Sequence, residues 1–201
     1  MNTAIIVHGA RAMAPEIQRW YDHADRADQI IFQHSCVAGA AGLIPAPAVD
    51  SAICLGNQIA LYARLNTLMG ISIASQTLKV VGGFMVSQVT GMLSIFGFAI
   101  AAKGIGLLCK CFPGLGTVGG IVIDCGTNAG IAYVLGVVYM KAMVNLFKAG
   151  KPVTEASLKE AIRAEFADKD GIKAIYREGK RRMKDVKFSD FTAQAEAMRN
   201  A

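Results

Sequence analysis

Apolar positions thicken toward the middle of the chain, and polar ones crowd at its end. Residues 29 to 49 (QIIFQHSCVAGAAGLIPAPAV) carry no formal charge. That run closes on Pro45 and Pro47, which cannot continue a helix interior, so a turn is expected at Ile44 to Val49. Asp50 or Ser51 then caps a second helix that reaches about Met69 and is stopped by Gly70. Ser72 or Ser75 opens a third segment, in which Val80 to Ala102 is 23 residues without a charge. Lys103 to Gly116, with Gly104, Gly106, Pro113, Gly114 and Gly116, predicts a bend. A fourth segment from about Thr117 to Phe147 is again long enough to cross a bilayer. After Gly150 and Pro152 the chain turns polar. Thr154 or Ser157 begins a helix, with Ser157 and Glu160 at capping-box spacing. Residues 1 to 28 read as a short lead-in helix from Pro15. The expected fold is all-α: a lead-in (1–28), an apolar body of about four helices with a Gly-rich hairpin (29–150), and a charged, solvent-facing helical tail (151–201).

Composition sharpens this division. The chain is 53% apolar and 18% charged, too apolar for a disordered protein. Its net charge of +6 suggests nucleic acid only until the charges are located. Between Val80 and Met140 the charged residues are Lys103, Lys110 and Asp124, whereas residues 151 to 201 hold 21 of the 36 charges. Arg64 and Lys79 precede the apolar pair, Lys141 and Lys148 follow it, and the positive-inside rule then places both termini in the cytoplasm. The basic surplus reads as topology, and nucleic-acid binding is not expected. Met1 to Ala10 holds a four-residue apolar patch, Ala4 to Val7, with no basic residue ahead of it, which does not predict a cleaved signal peptide.

Thirteen of the 21 glycines fall between residues 80 and 140, too many for helices valued only for their own stability. Gly116, Gly119, Gly120, Thr127 and Gly130 share one helical face, a small-residue seam that lets another helix approach closely. Its expected partner is the 80–102 helix of the same chain or a second copy. Asp124 and Asn128 lie one turn apart beside the seam, either as a hydrogen-bonded structural pair or as polar groups at membrane depth. Asp50, Asn57 and Arg64 recur every seven residues along the second helix, as a buried polar network or a docking face. The cluster Lys180, Arg181, Arg182, Lys184 and Lys187 is a candidate surface for lipid headgroups or a protein partner.

Catalytic and cofactor signatures are missing from the string. Gly150-Lys151 runs into Pro152 and makes no phosphate loop, and there is neither a nucleophile elbow nor an H-E-x-x-H helix. Cys36, Cys54, Cys109, Cys111 and Cys125 lie mostly in apolar stretches and lack zinc-ligand spacing. Asp168, Asp170 and Gly171 are wrongly spaced for a calcium loop. No metal, cofactor or enzymatic activity is expected.

Two strings carry a family resemblance: GLIPAPAVDSAICLGNQIALYARLNTLMGI (Gly42 to Ile71) and FPGLGTVGGIVIDCGTNAGIAYVLGVVYMKAM (Phe112 to Met143). With the turn residues Pro45, Pro47 and Asp50, the Gly70 stop, and Pro113, Gly114 and Gly116, residues 28 to 148 resemble a bacterial domain family of unknown function. That family occurs in YcjF-type inner-membrane proteins and beside Era-like small GTPases. The resemblance implies a membrane-embedded helical module of the bacterial inner membrane with a GTPase partner, and it carries no catalytic residues. The expected function is a non-enzymatic anchor or assembly module that contacts lipid and self-associates. The alternatives are an oligomeric pore lined by Asp124 and Asn128, and a soluble all-helical homo-oligomer.

Overall fold

The apolar pattern becomes six α-helices among the residues that the structure, a computed structural model, describes: 21–41, 47–92, 125–183 and 186. These are α1 (Ala24–Ala41), α2 (Pro47–Met69), α3 (Ser75–Met92), α4 (Cys125–Lys148), α5 (Glu155–Ala167) and α6 (Lys169–Met183). No strand occurs among the described residues, and the all-α expectation is met.

Local chemistry explains the helix ends, and corrects two of them. α2 opens at Pro47 itself, because the first helical position needs no backbone donor and favours proline's fixed φ. Asp50 therefore sits in the first turn of α2 and is not its N-cap. Thr154 caps α5: its hydroxyl accepts from the Ser157 N–H, and the Ser157 hydroxyl accepts from the Thr154 N–H. The capping box is thus Thr154 with Ser157, one turn earlier than Ser157 with Glu160. Asp168 does for α6 what a calcium loop does not, accepting the Gly171 N–H on its carboxylate.

Gly70 and Gly150 end α2 and α4 with φ of 71° and 61°. At each, the glycine N–H bonds three residues back (Thr67, Phe147) and the next N–H five back (Asn66, Leu146), the Schellman pattern. A Cβ on Gly150 would meet nothing within 4 Å, so Gly150→Ala tests backbone strain alone. We expect a loss of about 1 kcal/mol in urea denaturation, with unchanged m-value.

α4 is the core helix. Ile131, Tyr133, Val134, Val138, Tyr139 and Met143, which cover its circumference, are all buried. Gly136 faces Ile31 while Ala129 meets Cys36 and Met183, so α1 runs antiparallel to α4. Gly179 faces Tyr133, and Met183 clusters with Ala129, which sets the last turn of α6 beside the start of α4. α2 pairs with α1 through Asn57 and His34 and with α4 through Tyr62 and Tyr139, whose rings stack at 4.3 Å. α3 turns back along α2, where the Tyr62 hydroxyl donates to Met85 Sδ at 3.0 Å. α5 is tied to α4 by Glu165, which accepts from Asn145 and pairs with Lys141. The C-terminal ends of α1, α3 and α6 and the N-terminal ends of α2 and α4 therefore share one end of the bundle, which we call the base.

One helix among the described residues, Asn128–Lys148, is long and apolar enough to cross a membrane by length and composition, and 83% of its most apolar window is buried inside the protein. Its wrapping by five other helices accounts for the missing charge. The sequence pattern could not distinguish such a helix from a spanning one. Most of the expected hairpin, from residue 93 to Asp124, lies outside the described residues. The charged segment after Gly150 is built into the body: Leu158, Ile162 and Phe166 of α5 and Ile172, Ile175 and Tyr176 of α6 are buried in the main core.

Candidate functional site

Of the polar residues singled out by sequence, Asn57, Arg64, Asn128, Lys180, Arg181 and Arg182 have described side chains, and Arg182 anchors a polar cluster. At its centre Arg182 of α6 reaches across α4 to α1. Its Nη1 donates to both Asp28 carboxylate oxygens, at 2.8 and 2.7 Å, and to the Tyr133 hydroxyl at 3.0 Å. Tyr133 in turn donates to Asp28 at 2.7 Å. The guanidinium lies over the rings of Phe32 (4.5 Å) and Tyr133 (5.4 Å), so its charge is met by a carboxylate at the edge and π-faces beside it. A half-buried cation with this many partners is a staple across three helices. Arg182 is therefore removed from the candidate lipid or partner surface.

Its neighbours differ. The Arg181 side chain is 67% exposed and forms a two-pronged pair with Glu178, at 2.9 and 2.8 Å. Lys180 is half-buried, its ammonium 5.8 Å from the Tyr176 ring centroid. Lys184 and Lys187 lie outside the described residues. Opposite the buried stripe of α6, Lys169 and Arg177 are exposed.

Of the small-residue seam, Gly130 alone lies among the described side chains. A Cβ on Gly130 would lie 2.9 Å from the Tyr176 ring and 3.1 Å from Lys180 Cγ, so Gly130 admits α6. α1 packs closely on α4 at Gly136, which the seam did not include. Gly116, Gly119 and Gly120 lie outside the described residues, as does the Thr127 side chain.

A second polar cluster joins α1 to α2 toward the same end. Asn57 Nδ2 donates to the His34 carbonyl at 2.9 Å, which turns its Oδ1 toward His34 Nδ1 at 2.8 Å. Nδ1 is therefore the protonated nitrogen, and Nε2 faces Arg64 Nη1 at 3.5 Å. Of the heptad stripe, Asn57 and Arg64 meet at His34, and the Asp50 side chain lies outside the described residues. Asn128 is buried, and its Nδ2 has no partner among the described residues. Asp124, Pro45, Pro113 and Gly114 also fall outside them.

Two features went unread in the sequence. The spacing of Ile172, Ile175, Tyr176, Gly179 and Met183 is that of a helix face, a signal for burial that the surrounding lysines and arginines masked. Asp28 and Tyr133, 105 residues apart, left no local trace. Among the described residues no group of three His, Cys, Asp or Glu side chains is placed to hold a metal ion. No family model, curated protein or solved structure matches this chain.

Proposed function

We propose that this protein is a non-enzymatic, membrane-associated anchor whose helical body stays outside the bilayer while the apolar segment 93–124 contacts lipid. The observation that supports the reading is topological: α3 ends and α4 begins at the base. The 32 residues between them carry only Lys103, Lys110 and Asp124 as charges. The basic last turn of α6, with Lys180 and Arg181, reaches the same end, where cations would face anionic headgroups at about 1 kcal/mol each. Because α1 and α6 belong to one packed body, residues 24 and 183 would lie on the same side of the membrane, the cytoplasmic side by the positive-inside rule. The resemblance to the YcjF-type domain family supports a bacterial inner-membrane location and a small GTPase as partner. Self-association would use surfaces left free by the body.

The pore alternative loses support, since Asn128 is buried against neighbouring helices. The burial of α4 favours the soluble homo-oligomer as the second reading. Flotation of the full chain with phosphatidylethanolamine/phosphatidylglycerol vesicles separates the two. We expect the protein in the floated fraction, retained after carbonate washing, and weakened by Leu107→Glu with Leu108→Glu. Full recovery at the bottom of the gradient, as a detergent-free oligomer, would instead establish the soluble form.

A further inference from the structure

We infer that His34 and Asn57 form an acid-released clasp between α1 and α2, whose opening frees the N-terminal half of α2 from the base of the bundle. The geometry provides both a latch and a hinge. Among the described side chains, this pair is the hydrogen-bonded link between α1 and α2 nearest the base, and both residues are buried. On the α1 side, attachment to α4 and α6 is independent of the clasp: Asp28 is held by Arg182 and Tyr133, Ile31 packs on Gly136, and Cys36 meets Met183. On the α2 side, the attachments to α3 and α4 made by described side chains lie beyond the clasp, at Tyr62 and Asn66, where Tyr139 donates to Asn66 Oδ1 at 2.8 Å. Release would therefore let the first turns of α2 swing about its Tyr62 to Asn66 segment while α1 stays in place.

The clasp accepts only the neutral ring. His34 is 0% exposed, its Nδ1–H is spent on Asn57, and its Nε2 lone pair points at the Arg64 guanidinium. A proton on Nε2 would place a second cation 3.5 Å from Arg64, on a ring with no exposed surface of its own. Among the described side chains nothing nearby compensates. α1 offers Asp28, already bound by Arg182; α6 offers Arg182 itself; and between Asn128 and Lys141 the ionisable groups of α4 are Tyr133 and Tyr139. Burial, and then the Arg64 charge, lower the imidazole from 6.5 to about 4 against the opposing pull of the Asn57 hydrogen bonds. In the open form, exposed to water, the ring regains its ordinary value. The open form thus binds more protons between these limits, so closure is at full strength above about pH 6.5 and weakens as pH falls through 4. Between pH 7 and pH 5 the opening equilibrium should rise about twentyfold.

Hydrogen–deuterium exchange of the full chain at pH 7 and pH 5, corrected for intrinsic rates, tests this. We expect protection of peptides spanning 51–57 to fall about twentyfold on acidification while peptides from 24–31 and 131–143 keep theirs. His34→Gln, which cannot titrate, should show no acid response, and Arg64→Gln a smaller one. Equal responses in wild type and His34→Gln would overturn the clasp, as would uniform loss of protection along the chain. Should His34→Gln fail to fold, NMR titration of the wild-type imidazole decides: a midpoint well below 6.5 supports the clasp, and a midpoint at or above 6.5 refutes it.

Discussion

Replacing Gly136 with leucine should destabilise the fold by at least about 3 kcal/mol, the largest effect expected of any single residue considered. A Cβ at this position would lie 2.7 Å from Ile31 Cγ2, 2.9 Å from Cγ1 and 3.3 Å from Ile31 Cβ. Because the clash reaches the stem of a β-branched side chain, a rotamer change at Ile31 cannot relieve it. α1 would have to move off α4, taking the Asp28 contacts with it. Chemical denaturation of the single variants and of Gly136→Leu with Ile31→Ala forms a cycle. The double variant should recover at least about 1 kcal/mol of the combined loss, because the cavity at Ile31 receives the added side chain. Strict additivity would mean that the two helices do not meet there.

Arg182→Ala should destabilise the protein by about 2 to 3 kcal/mol, from three sources acting together. The Asp28 carboxylate loses its counter-charge, the Tyr133 hydroxyl loses a donor, and the faces of Phe32 and Tyr133 lose the guanidinium between them. Asp28 is 41% exposed, so water recovers part of what its carboxylate loses, which holds the effect below that of a fully buried pair. Arg181→Ala, one residue away, breaks a pair on the surface and should cost no more than about 0.5 kcal/mol. Arg182→Lys should restore less than half of the loss, since an ammonium cannot stack on two rings while meeting both carboxylate oxygens. Thermal unfolding of the three variants side by side gives the comparison. Equal midpoints for Arg181→Ala and Arg182→Ala would show that the staple contributes nothing.

What could be read in the sequence were features with a local cause. Gly70 and Gly150 stop helices because their own φ values are positive, and the start of α3 at Ser75 and the helical character of the described residues follow from neighbours within a few residues. What escaped depended on partners far along the chain. Arg182 looks like one cation in a basic run, and only Asp28, 154 residues earlier, distinguishes it from Arg181. The apolar length of α4 reads equally as a membrane span and as a core strut, because an unbroken apolar circumference answers to either environment. The burial of α5 and α6, whose helical character the sequence does carry, is masked for the converse reason. Their charges outnumber the few apolar positions that bury them, although those positions keep helical spacing. Pro47 was read as a terminator when its place at the first helical position makes it an initiator.

The central place of α4 also dictates an order of events during synthesis. α1, α2 and α3 leave the ribosome before the helix that covers their apolar faces exists, and α1 waits for partners 105 and 154 residues downstream at Tyr133 and Arg182. Such long-range closure is slow compared with helix formation, so the nascent chain exposes Ile30, Ile31, Leu61 and Leu65 until at least residue 148 has emerged. For that interval α1, α2 and α3 have one another but lack the helix that covers their apolar faces. A chaperone or insertion machinery that shields these faces would be needed in the interval before α4 emerges.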